Sequence, residues 1–200
     1  MSNSAPKTPI DTGSVAPRQR TIVAAAKIDA AGETFRRGLA PIWCARTRVL
    51  VLGSFPGEAS LAAGQYYAHP RNHFWPIVGA LVGVPLAALA YEQRIAALLG
   101  AGLGLWDTIV ACRREGSLDG AIREPRWGSP SSARAAAPGL ALVCFNGQTA
   151  ARALPAWRDA GLATVALPST SPAYTRPLAE KLAAWRIIGD TLRGDGSEGR

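Results

Sequence analysis

"TRVLVLGS", residues 47–54, is an unbroken apolar run that ends in glycine. A strand with one face in water alternates apolar and polar residues, whereas a strand covered on both faces does not. The run therefore predicts a buried strand of a parallel sheet. Three further runs have the same character: "GLGLWDTIV" (102–110), "GLALVCFNG" (139–147) and "ATVALPS" (163–169). Between them the spacing predicts helices over 72–83, 85–100 and 147–157. A last helix covers 177–193, opened by Pro177 and stopped by Gly194. Strands alternating with helices predict an α/β fold of three layers, α/β/α, around a central, mainly parallel four-stranded sheet. The Pro-, Ser- and Ala-rich stretch 123–139 reads as a long surface loop with a short helix. A single domain over 26–193 is expected, between flexible tails at 1–25 and 194–200.

Composition narrows the function classes. The chain has 200 residues, 22 of them Lys or Arg and 14 Asp or Glu, for a net charge of +8. Such a surface suits a polyanion, nucleic acid first. Arginine enrichment from a GC-rich genome would give the same count, since only Lys7, Lys27 and Lys181 are lysines. No apolar run approaches the ~20 residues that span a bilayer. The first twenty residues lack the charged start and apolar centre of a secretory signal. Cys44, Cys112 and Cys144 are odd in number and far apart, with neither a disulfide framework nor zinc or iron–sulfur spacing. The expectation is a cytoplasmic monomer with no metal, no cofactor and no membrane contact.

In an open α/β sheet, ligands bind beyond the carboxyl ends of the strands. Four segments fall there: "GSFPG" (53–57), "WDTIV" (106–110), "FNGQ" (145–148) and "LPSTSP" (167–172). Behind the first comes "GQYYAHPRNHFWP" (64–76), which gathers both histidines, an asparagine, two tyrosines and a Phe-Trp pair. Gly53, Ser54, Phe55, Pro56 and Gly57 form a tight turn. It is either a plain connection to a helix or a cradle of backbone N–H groups for an anion or a water. Phe55, Tyr66 and Tyr67 either fill core or offer a face to a flat base, worth roughly 1–3 kcal/mol per stacked base. Asn72 either caps the following helix or holds a water in a pocket, with His69 orienting that water or meeting a phosphate. Asp107 ends a buried strand and needs a partner there. Asn146 ends the third strand. Ser169, Thr170 and Ser171, stiffened by two prolines, either grip a phosphodiester or cap the last helix.

These segments together resemble the uracil-DNA glycosylase superfamily, and more closely its hypoxanthine (deoxyinosine) DNA glycosylase branch. The resemblance rests on "GSFPGEASLAAGQYYAHPRNHFWPIVG", "GLWDTIVACRREGSLDGAI", "VCFNGQTA" and "LPSTSPAYT", and runs from about residue 38 to 192. "HPRNHFW" is also similar to the mismatch-specific uracil/thymine enzymes. The resemblance implies base excision repair, in which the N-glycosidic bond of a deaminated base in DNA is hydrolysed after the nucleotide is flipped out. It places Phe55 where the superfamily usually has a catalytic Asp or Asn, and Phe55 cannot activate water. In the hypoxanthine branch that function belongs to the asparagine matching Asn72. "LPSTSP" matches a loop that compresses the DNA backbone and wedges toward the minor groove, and Asp107 falls at a base-reading position. Three scattered cysteines exclude the four-cysteine iron–sulfur clusters of two branches.

A strand-cutting second step needs an amine nucleophile, and none of the three lysines belongs to a motif. A monofunctional enzyme is therefore expected. The alternatives are an enzyme acting mainly on uracil or mismatches, a catalytically silent DNA-binding module, and a small-nucleotide hydrolase of similar fold.

Overall fold

The computed structural model describes residues 27–28 and 34–194. The tails expected over 1–25 and 194–200 lie outside the described residues, apart from Gly194. In chain order the strands are β1 (Lys27–Ile28), β2 (Thr34–Arg37), β3 (Val49–Gly53), β4 (Leu103–Asp107), β5 (Ile109–Arg113), β6 (Arg123–Trp127), β7 (Leu142–Asn146) and β8 (Thr164–Leu167). The helices are α1 (Glu58–Ala63), α2 (Phe74–Val82), α3 (Tyr91–Gly100), α4 (Pro130–Ala136), α5 (Gln148–Ala151), α6 (Leu154–Asp159) and α7 (Leu178–Arg193).

The four apolar runs form one parallel sheet in the order β4-β3-β7-β8. Every residue of β3 and β4 is buried, as strands covered on both faces must be. The pleat sends alternate side chains to opposite layers. Val49 and Val51 pack with Phe74 and Ile77 of α2, Leu98 of α3, and Trp185 and Ile188 of α7. Leu50 and Leu52 pack with Ala133 of α4, Ala150 of α5 and Trp157 of α6. Side chains as large as these each contribute roughly 1.5–3 kcal/mol when fully buried. The layers are therefore α/β/α, as the runs predict.

The strand expected over 102–110 is two strands in two sheets. At Thr108 the chain leaves the parallel sheet. The Thr108 N–H donates to the Gly53 carbonyl (2.8 Å) and the Ile109 N–H to that of Ser54 (3.0 Å). β5 then joins an antiparallel sheet of order β1-β2-β5-β6. Part of the stretch expected as loop, 123–139, is the edge strand β6; the rest contains α4. All five residues of β6 are exposed, and Glu124 has φ 47°. The helix expected over 85–100 is a single 3-10 turn at 86–88 followed by α3, and that over 147–157 divides into α5 and α6. α7 starts after Pro177 and stops at Gly194, φ 77°, as expected.

The chain passes from β3 to β4 on one side of β3 and later to β7 on the other. That reversal opens a crevice beyond the carboxyl end of β3, and Gly53, Asp107, Asn146 and Leu167 end the four strands around it.

Candidate active site

A cleft of about 770 Å³ occupies this crevice. Its walls are the turn 53–60, the 66–72 stretch, Asp107, residues 117–119, the β7–α5 turn and the loop 167–174. Every residue singled out in the sequence lines it: Gly53, Ser54, Phe55, Pro56, Gly57, Tyr66, Tyr67, His69, Asn72, Asp107, Asn146, Ser169, Thr170 and Ser171. They do not all present free groups.

The first turn leaves N–H groups open. The Glu58 N–H donates to Ser117 Oγ at 2.9 Å. Among the described residues, the Phe55 and Gly57 N–H groups have no acceptor. The Phe55 ring itself is core: it packs with Ile109 and Cys112 and the Arg114 guanidinium lies 4.8 Å over its centroid. Arg114 also donates to the Pro56 carbonyl, so one buried cation braces the turn from behind.

Tyr66 is likewise core. Its hydroxyl donates to the Leu39 carbonyl (3.3 Å) and its own carbonyl accepts from Trp75 Nε1 (3.2 Å). Tyr67 differs. Its φ of 54° is unusual for a bulky residue, and strain of this kind concentrates at functional sites. One face of its ring stacks on Phe74, centroids 3.8 Å apart and planes at 13°. Its hydroxyl accepts from Asn146 Nδ2 at 3.2 Å, which leaves its own proton without an acceptor among the described residues. Burial, with Asp107 nearby, pushes this phenol well above its ordinary value, so it stays a donor.

Asn146 is a tie. Its Nδ2 also donates to Thr170 Oγ1 (2.9 Å) and its Oδ1 accepts from the Thr170 N–H (2.9 Å). Its amide is thus spent holding the 167–174 loop to the end of β7. Thr170 is fully buried and its Oγ1 is the acceptor in the same tie. Ser169 and Ser171 remain at the surface of the loop. Their oxygens accept from the N–H groups two residues on (3.2 and 3.3 Å), which leaves both hydroxyl protons to donate outward. Gly147, φ 95°, brings the β7–α5 turn against Ser169, where a Cβ would lie 3.0 Å from that side chain.

Asn72 stands one residue before His73, which rather than Asn72 is the N-cap of α2. The Asn72 Oδ1 accepts from the Phe74 N–H at 3.0 Å, closing the first turn of α2. An amide oxygen has two lone pairs, so one remains, and the Asn72 NH2 group has no acceptor among the described residues. His69 Nδ1 accepts from the Arg71 N–H at 3.2 Å. The neutral ring therefore bears its proton on Nε2 and offers a donor.

Asp107 is 4% exposed and its Oδ2 has no partner. Burial, then the nearby Asp119 charge, pushes its pKa up to about 8, with Arg114 opposing. The shift favours the protonated carboxylic acid over the carboxylate. Only glycine fits at Gly53 beside it, because a Cβ there would collide with Asp107 Oδ1. Gly53→Ala is expected to cost about 1–3 kcal/mol by overpacking. That is a fall in Tm of roughly 2–12 °C; an unchanged melting curve would show that Asp107 swings aside freely.

The sequence reading missed the 117–119 wall. Asp119 Oδ1 and Oδ2 both accept from Ser54 Oγ, at 2.8 and 2.9 Å, so that loop is pinned to the first turn across 65 positions. "REGSLDG" has no spacing that marks it.

Among the described residues no cluster of His, Cys, Asp and Glu could hold a metal ion, and no helix is long and apolar enough to cross a membrane.

The family model of the uracil DNA glycosylase superfamily matches residues 41–189, which covers the whole cleft. The chain belongs to the uracil DNA glycosylase superfamily. Within it, the chain is 37% identical to a Hypoxanthine DNA glycosylase of Methanosarcina barkeri over 150 residues, 75% of this chain and 95% of that one. It is 36% identical over 153 residues to a Hypoxanthine DNA glycosylase of Methanosarcina acetivorans, 76% of this chain and 97% of that one. The solution NMR structure of a candidate uracil DNA glycosylase from M. acetivorans superposes with a TM-score of 0.72 at 34% identity, covering 80% of this chain and 99% of that one.

Proposed function

We propose that this superfamily member is a monofunctional DNA glycosylase that releases hypoxanthine from deoxyinosine in DNA. The observation that carries the reading is the meeting in one cleft of Asn72, an unpaired Asp107 carboxyl and two open backbone N–H groups. The names of the similar Methanosarcina proteins support the same substrate.

The damaged nucleotide is flipped into the cleft, at a cost of about a few kcal/mol in lost stacking and pairing. Ser169 Oγ, Ser171 Oγ and His69 Nε2 meet the flanking phosphates; Thr170 acts from inside through Asn146. Tyr67 supplies the ring face, backed by Phe74. A backbone N–H of the 55–57 turn meets the hypoxanthine O6, and Asp107 accepts a hydrogen bond from N1–H. Adenine would set its amino group against that N–H, donor against donor, leaving buried groups unpaired.

The C1′–N9 bond breaks with its electron pair leaving on the base, so the sugar becomes oxocarbenium-like and the base anionic. The 55–57 N–H groups stabilise that charge as it forms. A neutral Asp107 adds no repulsion. Water held by the free lone pair of Asn72 Oδ1 attacks C1′. An amide is no base, so the water's proton is released only as the C–O bond forms and ends on the departing base. Lys181 is fully buried and its ammonium donates to the Tyr174 carbonyl (2.6 Å), which fits the absence of a Schiff-base step.

The test is a labelled duplex with one hypoxanthine or one uracil, resolved before and after hot alkali. Cleavage at hypoxanthine that needs alkali is the expected result. Cleavage without alkali would overturn the monofunctional assignment, and cleavage at uracil alone the choice of base.

A further inference from the structure

We propose that Arg114 is a positioning residue for the chemical step: it polarises the Pro56–Gly57 peptide and so makes the Gly57 N–H a stronger donor to the departing base. The inference rests on the glycosylase reading above. Arg114 is 4% exposed, and its Nε and Nη1 have no hydrogen-bond partner among the described residues. The two carboxylates whose charges reach it, Asp119 and Glu58, are engaged elsewhere. Asp119 takes the Ser54 hydroxyl on both its oxygens, and Glu58 pairs with Arg36. A buried cation left this incompletely bonded costs stability. Bracing the turn alone would not require a charge.

What the charge does follows from the bond it makes. The guanidinium lies over the Phe55 ring, and its Nη2 donates to the Pro56 carbonyl. In a trans peptide the C=O and the N–H point in opposite directions, and the Pro56–Gly57 peptide is trans. The Pro56 oxygen faces the buried guanidinium, so the Gly57 N–H faces away from it, and Gly57 lines the cleft. A bond accepted from an ion at one end of a peptide draws charge from the other end and strengthens its N–H by about 10–30%. The second open donor, the Phe55 N–H, is the contrast. The oxygen of its peptide, that of Ser54, accepts only from neutral groups, the Ile109 N–H at 3.0 Å and the Thr108 hydroxyl at 3.5 Å. When C1′–N9 breaks, its electron pair leaves on the base, and a donor polarised in advance meets that charge without reorganising. The neutral base before bond breaking gains less from it than the anion, so Arg114 acts on the rate more than on binding.

The experiment compares wild type, Arg114→Met and Arg114→Lys. Methionine keeps apolar bulk over Phe55 without the charge, and lysine keeps the charge without the planar fork. Single-turnover release is measured from duplexes that carry hypoxanthine or its 8-aza analogue, whose ring takes up negative charge more readily. Arg114→Met is expected to slow hypoxanthine release roughly tenfold or more, a part of the roughly 10²–10³-fold that losing such a donor outright costs. The 8-aza analogue, which needs less help to leave, should slow by less than about threefold. Arg114→Lys should fall between Arg114→Met and wild type. Both rates come from one protein sample, so partial unfolding of a variant cancels from their ratio. Equal losses on the two bases, the mark of a brace alone, would overturn the assignment, as would an unchanged hypoxanthine rate in Arg114→Met. The 15N resonance of Gly57 in the DNA-free protein reports the hydrogen bond to the preceding carbonyl. It should move in Arg114→Met and return part of the way in Arg114→Lys; an unmoved resonance would overturn the polarisation. Wild-type protein that releases neither base, with the resonance moving as expected in Arg114→Met, would leave the polarised N–H standing and remove the glycosylase reading instead.

Discussion

Asn72→Ala should abolish most of the base release while the chain stays folded. Positioning of the attacking water contributes on the order of 10²-fold in rate, and the turn position occupied elsewhere in the superfamily by an acid or amide is here Phe55, whose ring is packed with Ile109 and Cys112. Asn146 is held by Tyr67 and Thr170, and the other amide on the cleft wall, Gln148, is exposed at the start of α5. The structural loss is a single bond, from the Phe74 N–H to Asn72 Oδ1. Losing a helix-start acceptor of this kind costs about 0.5–2 kcal/mol. The prediction is a single-turnover rate on hypoxanthine duplex lowered about 100-fold with DNA binding retained. Asn72→Asp separates the two roles, since it keeps the oxygen that accepts from Phe74 and from water but drops the NH2 group. Substantial activity in Asn72→Asp would assign the work to Oδ1, and a loss as deep as in alanine would assign it to Nδ2. Full activity in Asn72→Ala would remove Asn72 from the mechanism.

How far the sequence leads can be judged residue by residue. β3, β4 and β7 are legible because burial on both faces leaves polar residues only at their carboxyl ends, Asp107 and Asn146. The edge strand β8, though only partly buried, keeps an apolar run from Val165 to Leu167. The same property hides the break at Thr108. Ile109 and Cys112 are buried too, against Phe55 in a smaller core, so the apolar run crosses from one sheet to the other without a mark. β6 is hidden for the opposite reason. "REPRW" is charged, exposed and interrupted by Pro125, which an edge strand tolerates but no periodicity reveals. In the cleft, the residue types are legible and their bonds are not. Nothing in "FNGQ" and "LPSTSP" shows that Asn146 and Thr170 spend their polar groups on each other across 24 positions. Nor does anything in "GSFPG" show that Ser54 holds Asp119. The sequence thus names a plausible set, and only long-range pairing separates scaffold from reacting groups.

That separation leaves Asp107 as the group whose charge state matters most. Its pKa is raised to about 8 in the folded protein against 3.8 for a free aspartate, first by burial and then by Asp119. The folded chain therefore keeps a proton that the unfolded chain releases from about pH 4 upward. Stability from this group is full below pH 4, falls as pH rises, and is gone above about 8. Asp107→Asn keeps the shape and the acceptor oxygen but cannot ionise. Its Tm advantage over wild type should grow between pH 5 and 8 and then level off. The rate follows the same proton. Above pH 8 a carboxylate would face the anionic base as it departs, so wild-type single-turnover release should fall with an apparent pKa near 8, a limb absent from Asp107→Asn. Asp107→Asn should keep hypoxanthine release within about tenfold, because its carbonyl still meets N1–H, whereas Asp107→Ala should lose about 100-fold or more once that N–H is buried without a partner. Asp119→Asn removes the second cause of the raised pKa and should move the wild-type limb to lower pH. A wild-type rate that climbs through pH 8 would show the opposite, a carboxylate at work, and would turn Asp107 from a neutral reader of the base into a charged stabiliser of the sugar.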